Sequence, residues 1–262
     1  MKFDEKLIKH IERSKNRMIL VMRHGTKIEL TERYDLPIYD ISEKYCQDDY
    51  KSFKIANALK NNHKRSMIVY TSPFLRTKQT ALRLLEYIQS KQPVFIINAF
   101  GESYDEVKKQ LKSCGEKESY RVPKHITELD DCMKKMVNKT KLVCTKTKCQ
   151  PEIGWYGEAL QDILKSKKFS EKYNKDGDKP ITNSKDYYIN FKTILLDLIF
   201  KENRNKNMII VTHGNNVKNS LNVLAPRFIP HLSLLPKTCG GVLYEEVEPG
   251  KFEIIYTNFI SL

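Results

Sequence analysis

Arg23-His24-Gly25, Ser72-Pro73-Phe74-Leu75-Arg76-Thr77-Lys78-Gln79-Thr80-Ala81 and Thr212-His213-Gly214-Asn215 contain the side chains best suited to joint chemistry in this chain. The planar guanidinium of arginine matches phosphoryl oxygens two at a time. An imidazole held among cations resists protonation, and the neutral ring is the nucleophilic form. Two histidines and two arginines brought together would suit moving a phosphoryl group onto and off a histidine. His10, His63, His125 and His231 lie outside these segments and read as surface or core residues.

The three segments share a setting, because each follows a short apolar run. Met18 to Met22, Met67 to Thr71 and Met208 to Thr212 have the continuous character of strands buried on both faces. Val94 to Ile97 is a fourth such run, starting after Pro93 and stopping near Gly101. Helical patterns over 50–59, 75–88, 186–200 and 216–224 alternate with the strands. The alternation predicts an α/β three-layer sandwich around a mostly parallel central sheet. Sheets of this kind place ligands at the carboxyl ends of their strands, where all three segments fall. Residues 241–247 and 252–257, joined by Glu248-Pro249-Gly250, predict a C-terminal antiparallel hairpin closing the sheet edge. A short amphipathic helix opens the chain, with Leu7, Ile8 and Ile11 on one face. Residues 103–185 carry no comparable strand run. They are lysine-rich, helical in pattern and broken by Pro123, Pro151, Gly154, Gly157 and Pro180. They predict a helical insertion or cap within a single domain spanning 1–262.

Composition removes several other classes. Lysine and arginine number 46 against 32 acidic residues, a formal charge of +14. Only 10 of the basic residues are arginine, which argues for a solvated lysine coat and against a nucleic-acid surface. The resulting field can steer anionic substrates, and the basic insertion offers a docking surface for a protein partner. No apolar stretch approaches the ~18–20 residues needed to span a bilayer. The richest, Ile194 to Phe200, is interrupted by Asp197, and no hydrophobic signal core follows Met1 to Lys6. A cytoplasmic protein without membrane insertion is expected. Cys46, Cys114, Cys132, Cys144, Cys149 and Cys239 are irregularly spaced with no Cys-x-x-Cys, so reduced thiols and no metal site are expected.

In order, and each after a buried strand, Arg-His-Gly, Ser-Pro-x-x-Arg-x-x-Gln-Thr-Ala and His-Gly-Asn resemble the motifs of the histidine phosphatase superfamily, the phosphoglycerate mutase-like proteins. The likeness covers roughly 18–102 and 208–257 and leaves the insertion unmatched. It implies that His24 is a nucleophile forming a phosphohistidine, that Arg23, Arg76 and His213 complete a phosphate pocket, and that no cofactor is needed. It also implies a carboxylate acid soon after the third strand, where Glu102 stands with Asp105 and Glu106 close by. Asp35-Leu36-Pro37-Ile38 is similar to a further family segment, whereas Thr26-Lys27-Ile28-Glu29 departs from the usual continuation. Cofactor-dependent mutases carry an arginine directly after the acid and a paired one further on. Here Ser103 follows Glu102, and the insertion holds only Arg121. The resemblance therefore favours the phosphatase branch, with a phosphorylated small molecule or phosphoprotein as substrate. The other readings are a mutase or a non-catalytic member built into a larger assembly.

Overall fold

The computed structural model describes residues 5–25, 50–72, 74–102, 169–170, 184–228 and 235–260. The apolar runs form strands β1 (Met18–Arg23), β2 (Met67–Thr71), β3 (Val94–Ile96) and β5 (Asn207–Thr212). A two-residue strand β4 (Phe169–Ser170), the hairpin strands β7 (Gly241–Glu248) and β8 (Lys251–Thr257) complete a seven-stranded sheet ordered β4-β3-β2-β5-β1-β7-β8. The five strands from β4 to β1 run parallel, and β7 and β8 are antiparallel.

Successive residues of the central strands serve opposite cores, as the pleat requires. Met18, Leu20 and Met22 of β1, with Val69, Ile209 and Val211, pack with Ile11, Phe53, Leu59, Leu84 and Leu85. These last come from helices α1 (Glu5–Arg13), α2 (Tyr50–Lys60) and α3 (Leu75–Tyr87). Ile19 and Val21, with Ile68, Tyr70, Met208 and Ile210, face the other way onto Phe191, Leu195 and Leu221. Those belong to α4 (Ser184–Asp197) and α5 (Gly214–Leu224). The continuous apolar runs are thus two half-cores read alternately, and the three-layer α/β sandwich is as expected. Each fully buried Leu or Ile contributes roughly 1.5–3 kcal/mol. Among the described residues, no helix is long and apolar enough to cross a membrane.

Several details differ from the sequence reading. The third strand stops at Ile96, because Ile97 leads into a 3-10 turn over Asn98–Phe100. β4 lies inside the 103–185 stretch read as strand-free. Two residues are too few to show any periodicity, so only pairing with β3 reveals them. The last turn of the fourth predicted helix is π-helical, over Leu198–Glu202. A second sheet of two short strands, β6 (Leu235–Pro236) and β9 (Phe259–Ile260), was equally silent. The remainder of the proposed insertion, with Asp105, Glu106 and Arg121, and the 26–49 stretch with Asp35 to Ile38, lie outside the described residues. Of the six cysteines Cys239 is described, buried and not in a disulfide.

β1 and β7 approach so closely that Gly241 is obligatory. A Cβ there would stand 2.3 Å from the Val21 carbonyl oxygen and 2.8 Å from Met22 Cα. Just before it, Cys239 turns in the left-handed region at φ 59° and donates its N–H to the His24 carbonyl at 3.1 Å.

Candidate active site

β1, β2 and β5 are neighbours through parallel pairing, so their carboxyl ends bring Arg23-His24, Ser72 and Thr212-His213 to one edge. Paired register puts Arg23 beside Thr212 and Thr71 beside Val211, and the His24 N–H donates to the Thr212 carbonyl at 2.9 Å. α3 and α5 begin at this edge, with His213 directly preceding the first residue of α5. Helix amino ends favour negative charge.

His24 is 4% exposed and His213 1%, with ring centroids 5.5 Å apart in an edge arrangement. Nδ1 of His24 lies 2.7 Å from the Gly25 carbonyl oxygen. A carbonyl can only accept, so Nδ1 carries the proton and Nε2 keeps its lone pair. Burial first, then Arg76, His213 and Arg23, drive the His24 pKa well below 6.5, so the ring is neutral. The backbone is also fixed: Gly25 N–H donates to Thr80 Oγ1 at 2.9 Å, and that hydroxyl donates to the Arg76 carbonyl at 2.7 Å.

Arg76 is 2% exposed, with its guanidinium carbon 4.7 Å from the Phe74 ring centroid. The same ring meets His213 edge-on at 4.9 Å, so one buried phenyl orients both groups. Glu102 Oε1 lies 3.1 Å from Arg76 Nη2 and 2.9 Å from His213 Nδ1. The Nη2–Nδ1 separation is 3.1 Å, which leaves the carboxylate as the common acceptor. Burial raises the Glu102 pKa, but His213 and Arg76 together prevail and hold the carboxyl at about 2. Glu102 is therefore the counter-ion of the resting pocket. Arg23 reaches the site from β1 with Nη1 2.9 Å from the Pro236 carbonyl, and burial lowers its pKa.

The structure thus brings together His24, His213, Arg23, Arg76 and Glu102, every described residue that the motifs singled out. It adds three that the motifs did not. Ser72 Oγ lies 2.8 Å from His213 Nε2 and holds that ring from its far side. Asn216 Nδ2 donates to the Phe100 and Gly101 carbonyls at 2.9 and 2.8 Å, and Tyr187 Oη donates to Asn216 Oδ1 at 2.5 Å. Together they fasten the turn that carries Glu102. Ser72 stood in a quoted motif without a role, whereas Tyr187 and Asn216 sit on helices with no spacing signal linking them to it. No group of three or more His, Cys, Asp or Glu side chains among the described residues could hold a metal ion.

Fold and site define an α/β sandwich with a buried cluster of two histidines, two arginines and a glutamate at one sheet edge. No family model matches the chain, and no curated protein matches it. Among solved structures it is similar to phosphoglycerate mutase from Bacillus anthracis str. Sterne, at 17% identity over 94% of this chain and 93% of that one, TM-score 0.45. It is also similar to mycobacterial glucosyl-3-phosphoglycerate phosphatase, at 11% identity over 93% and 99%, TM-score 0.47. A third is Entamoeba histolytica phosphoserine phosphatase in complex with 3-phosphoglyceric acid, at 17% identity over 92% and 96%, TM-score 0.44.

Proposed function

We propose that this chain is a phosphomonoester hydrolase working through a phosphohistidine on His24. The observation that carries the reading is the neutral His24 ring, proton on Nδ1, buried among Arg23, Arg76 and His213. A phosphoryl dianion would displace the Glu102 carboxylate from Arg76 and His213, since the two anions compete for the same donors. Nε2 then attacks phosphorus, the N–P bond forming as the bond to the leaving oxygen breaks. Arg23, Arg76 and His213 stabilise the charge on the equatorial oxygens. Glu102, deprived of its cations and beside a dianion, has its pKa raised from the resting value and can carry a proton to the leaving oxygen. Attack by water, with Glu102 now the base, breaks the N–P bond and releases phosphate. Asp105 and Glu106 are the rival acids. The substrate is a phosphorylated small molecule or phosphoprotein.

Hydrolysis of an aryl phosphate, measured with and without excess EDTA, tests the reading. Turnover should persist in chelator, and a quenched reaction should yield an acid-labile phosphoenzyme that His24→Ala lacks while remaining folded. Activity lost in EDTA and restored by a divalent ion would overturn the mechanism. Fast interconversion of 2- and 3-phosphoglycerate without phosphate release would replace the hydrolase with a mutase.

A further inference from the structure

The opposite edge of the sheet, where the parallel strands begin, carries three arginines. Arg17 directly precedes β1, Arg65 stands two residues before β2, and Arg204 three before β5. Because β2, β5 and β1 are adjacent in the sheet, the three arginines line one cavity of about 520 Å³. Phe200 and the β7–β8 turn form its other walls. Ligand pockets commonly span ~300–1,000 Å³, so the space suits a molecule of nucleotide size and is larger than a phosphate alone needs.

The charges in this cavity are unequal in their commitments. Arg17, 2% exposed, donates from Nη1 to the Ile199 carbonyl at 2.5 Å and from Nη2 to Glu246 Oε1 at 2.8 Å. Its buried Nε has no partner among the described residues. Glu246 is paired with the buried Arg17, whereas Glu248 makes only an exposed pair with Lys251 at 3.1 Å. Arg65 and Arg204 have no carboxylate partner among the described residues. Each is held by its Nε alone, Arg65 on the Lys15 carbonyl at 2.8 Å and Arg204 on the Phe200 carbonyl. A guanidinium engaged at Nε keeps both Nη groups, which can bind phosphate oxygens in pairs, and here Arg65 is half-buried and Arg204 exposed to solvent.

We infer that this edge carries a second binding site, for a small phosphate-bearing anion with a ring, such as a nucleoside diphosphate. Arg65 and Arg204 take the phosphates, and the rest of the cavity takes the ring. The site is separate from the phosphoryl-transfer pocket and does not depend on that pocket's chemistry.

Calorimetric titration of the full chain with ADP and with pyrophosphate tests it. ADP should bind once at this edge, more tightly than pyrophosphate, and Arg76→Ala should leave that binding intact. The double variant Arg65→Ala/Arg204→Ala should weaken it by about tenfold or more, and high salt should weaken it too. Aryl phosphate turnover of the double variant should stay within about twofold of the parent, since neither residue touches the catalytic pocket. Should the double variant not fold, Arg65→Lys and Arg204→Lys keep the charge, lose the fork and should each show a smaller loss. No ADP binding by the parent, equal affinity for pyrophosphate, or binding lost in Arg76→Ala and kept in the double variant would each overturn the inference. A chain that binds ADP as described but hydrolyses no monoester would sink the hydrolase and leave this site standing.

Discussion

His24 and Glu102 couple the site to pH with the same sign. His24 has a folded pKa well below 6.5, chiefly through burial, so below pH 6.5 the unfolded chain takes up a proton that the native ring refuses. Its contribution to stability is complete above 6.5 and drains as pH falls. Glu102, held at about 2 against an ordinary 4.5, contributes fully above 4.5 and loses that contribution as pH falls towards 2. Melting curves should therefore show a shallower loss of Tm from pH 6.5 to 5 in His24→Ala than in the parent. Equal slopes would mean the ring titrates normally. Glu102→Gln keeps the shape but removes the transferable proton. It should slow hydrolysis of alkyl phosphates far more than of aryl phosphates, whose leaving groups need less protonation. A uniform loss across both substrate kinds would move the acid role to Asp105 or Glu106.

At the scale of elements, α4 and α5 set the position of the turn that carries Glu102. Asn216 is fully buried and meets the Phe100 and Gly101 carbonyls, Thr212 Oγ1 and the Tyr187 hydroxyl. Asn216→Ala would leave buried carbonyls unsatisfied and should cost about 2–3 kcal/mol in denaturant melts. Tyr187→Phe deletes one hydrogen-bonded hydroxyl and should cost about 1 kcal/mol. If both act by positioning Glu102, kcat on alkyl phosphates should drop more than on aryl phosphates, a split that mere destabilisation would not produce. Gly241→Ala strikes elsewhere, since its Cβ would meet the backbone of β1 and nothing flexible can yield. A loss of about 3 kcal/mol or more is expected, or failure to fold. A melting point unchanged from the parent would show that the two strands can part without cost.

Across the whole molecule, the +14 charge should act on encounter more than on chemistry. For a dianionic substrate, kcat/KM should fall several-fold as salt rises from roughly 20 to 200 mM, with kcat little changed. A flat salt profile would assign the lysines to the solvated coat alone.

What could be read from the sequence by itself was local. Apolar runs of strand length, their alternation with helical patterns and the residues directly after each run depend on neighbours in the chain. They determined the sandwich, the antiparallel hairpin and the gathering of Arg23, His24, Arg76 and His213 at one edge. Tertiary structure alone decided what those groups touch. The proton on His24 Nδ1 is set by where the Gly25 carbonyl turns. Glu102 became a counter-ion because it meets Arg76 and His213, 26 and 111 residues away. The Tyr187–Asn216 clasp and the two-residue strand β4 likewise left no local trace. Spacing encodes periodicity along one element, whereas hydrogen bonds between elements depend on packing that no single segment contains.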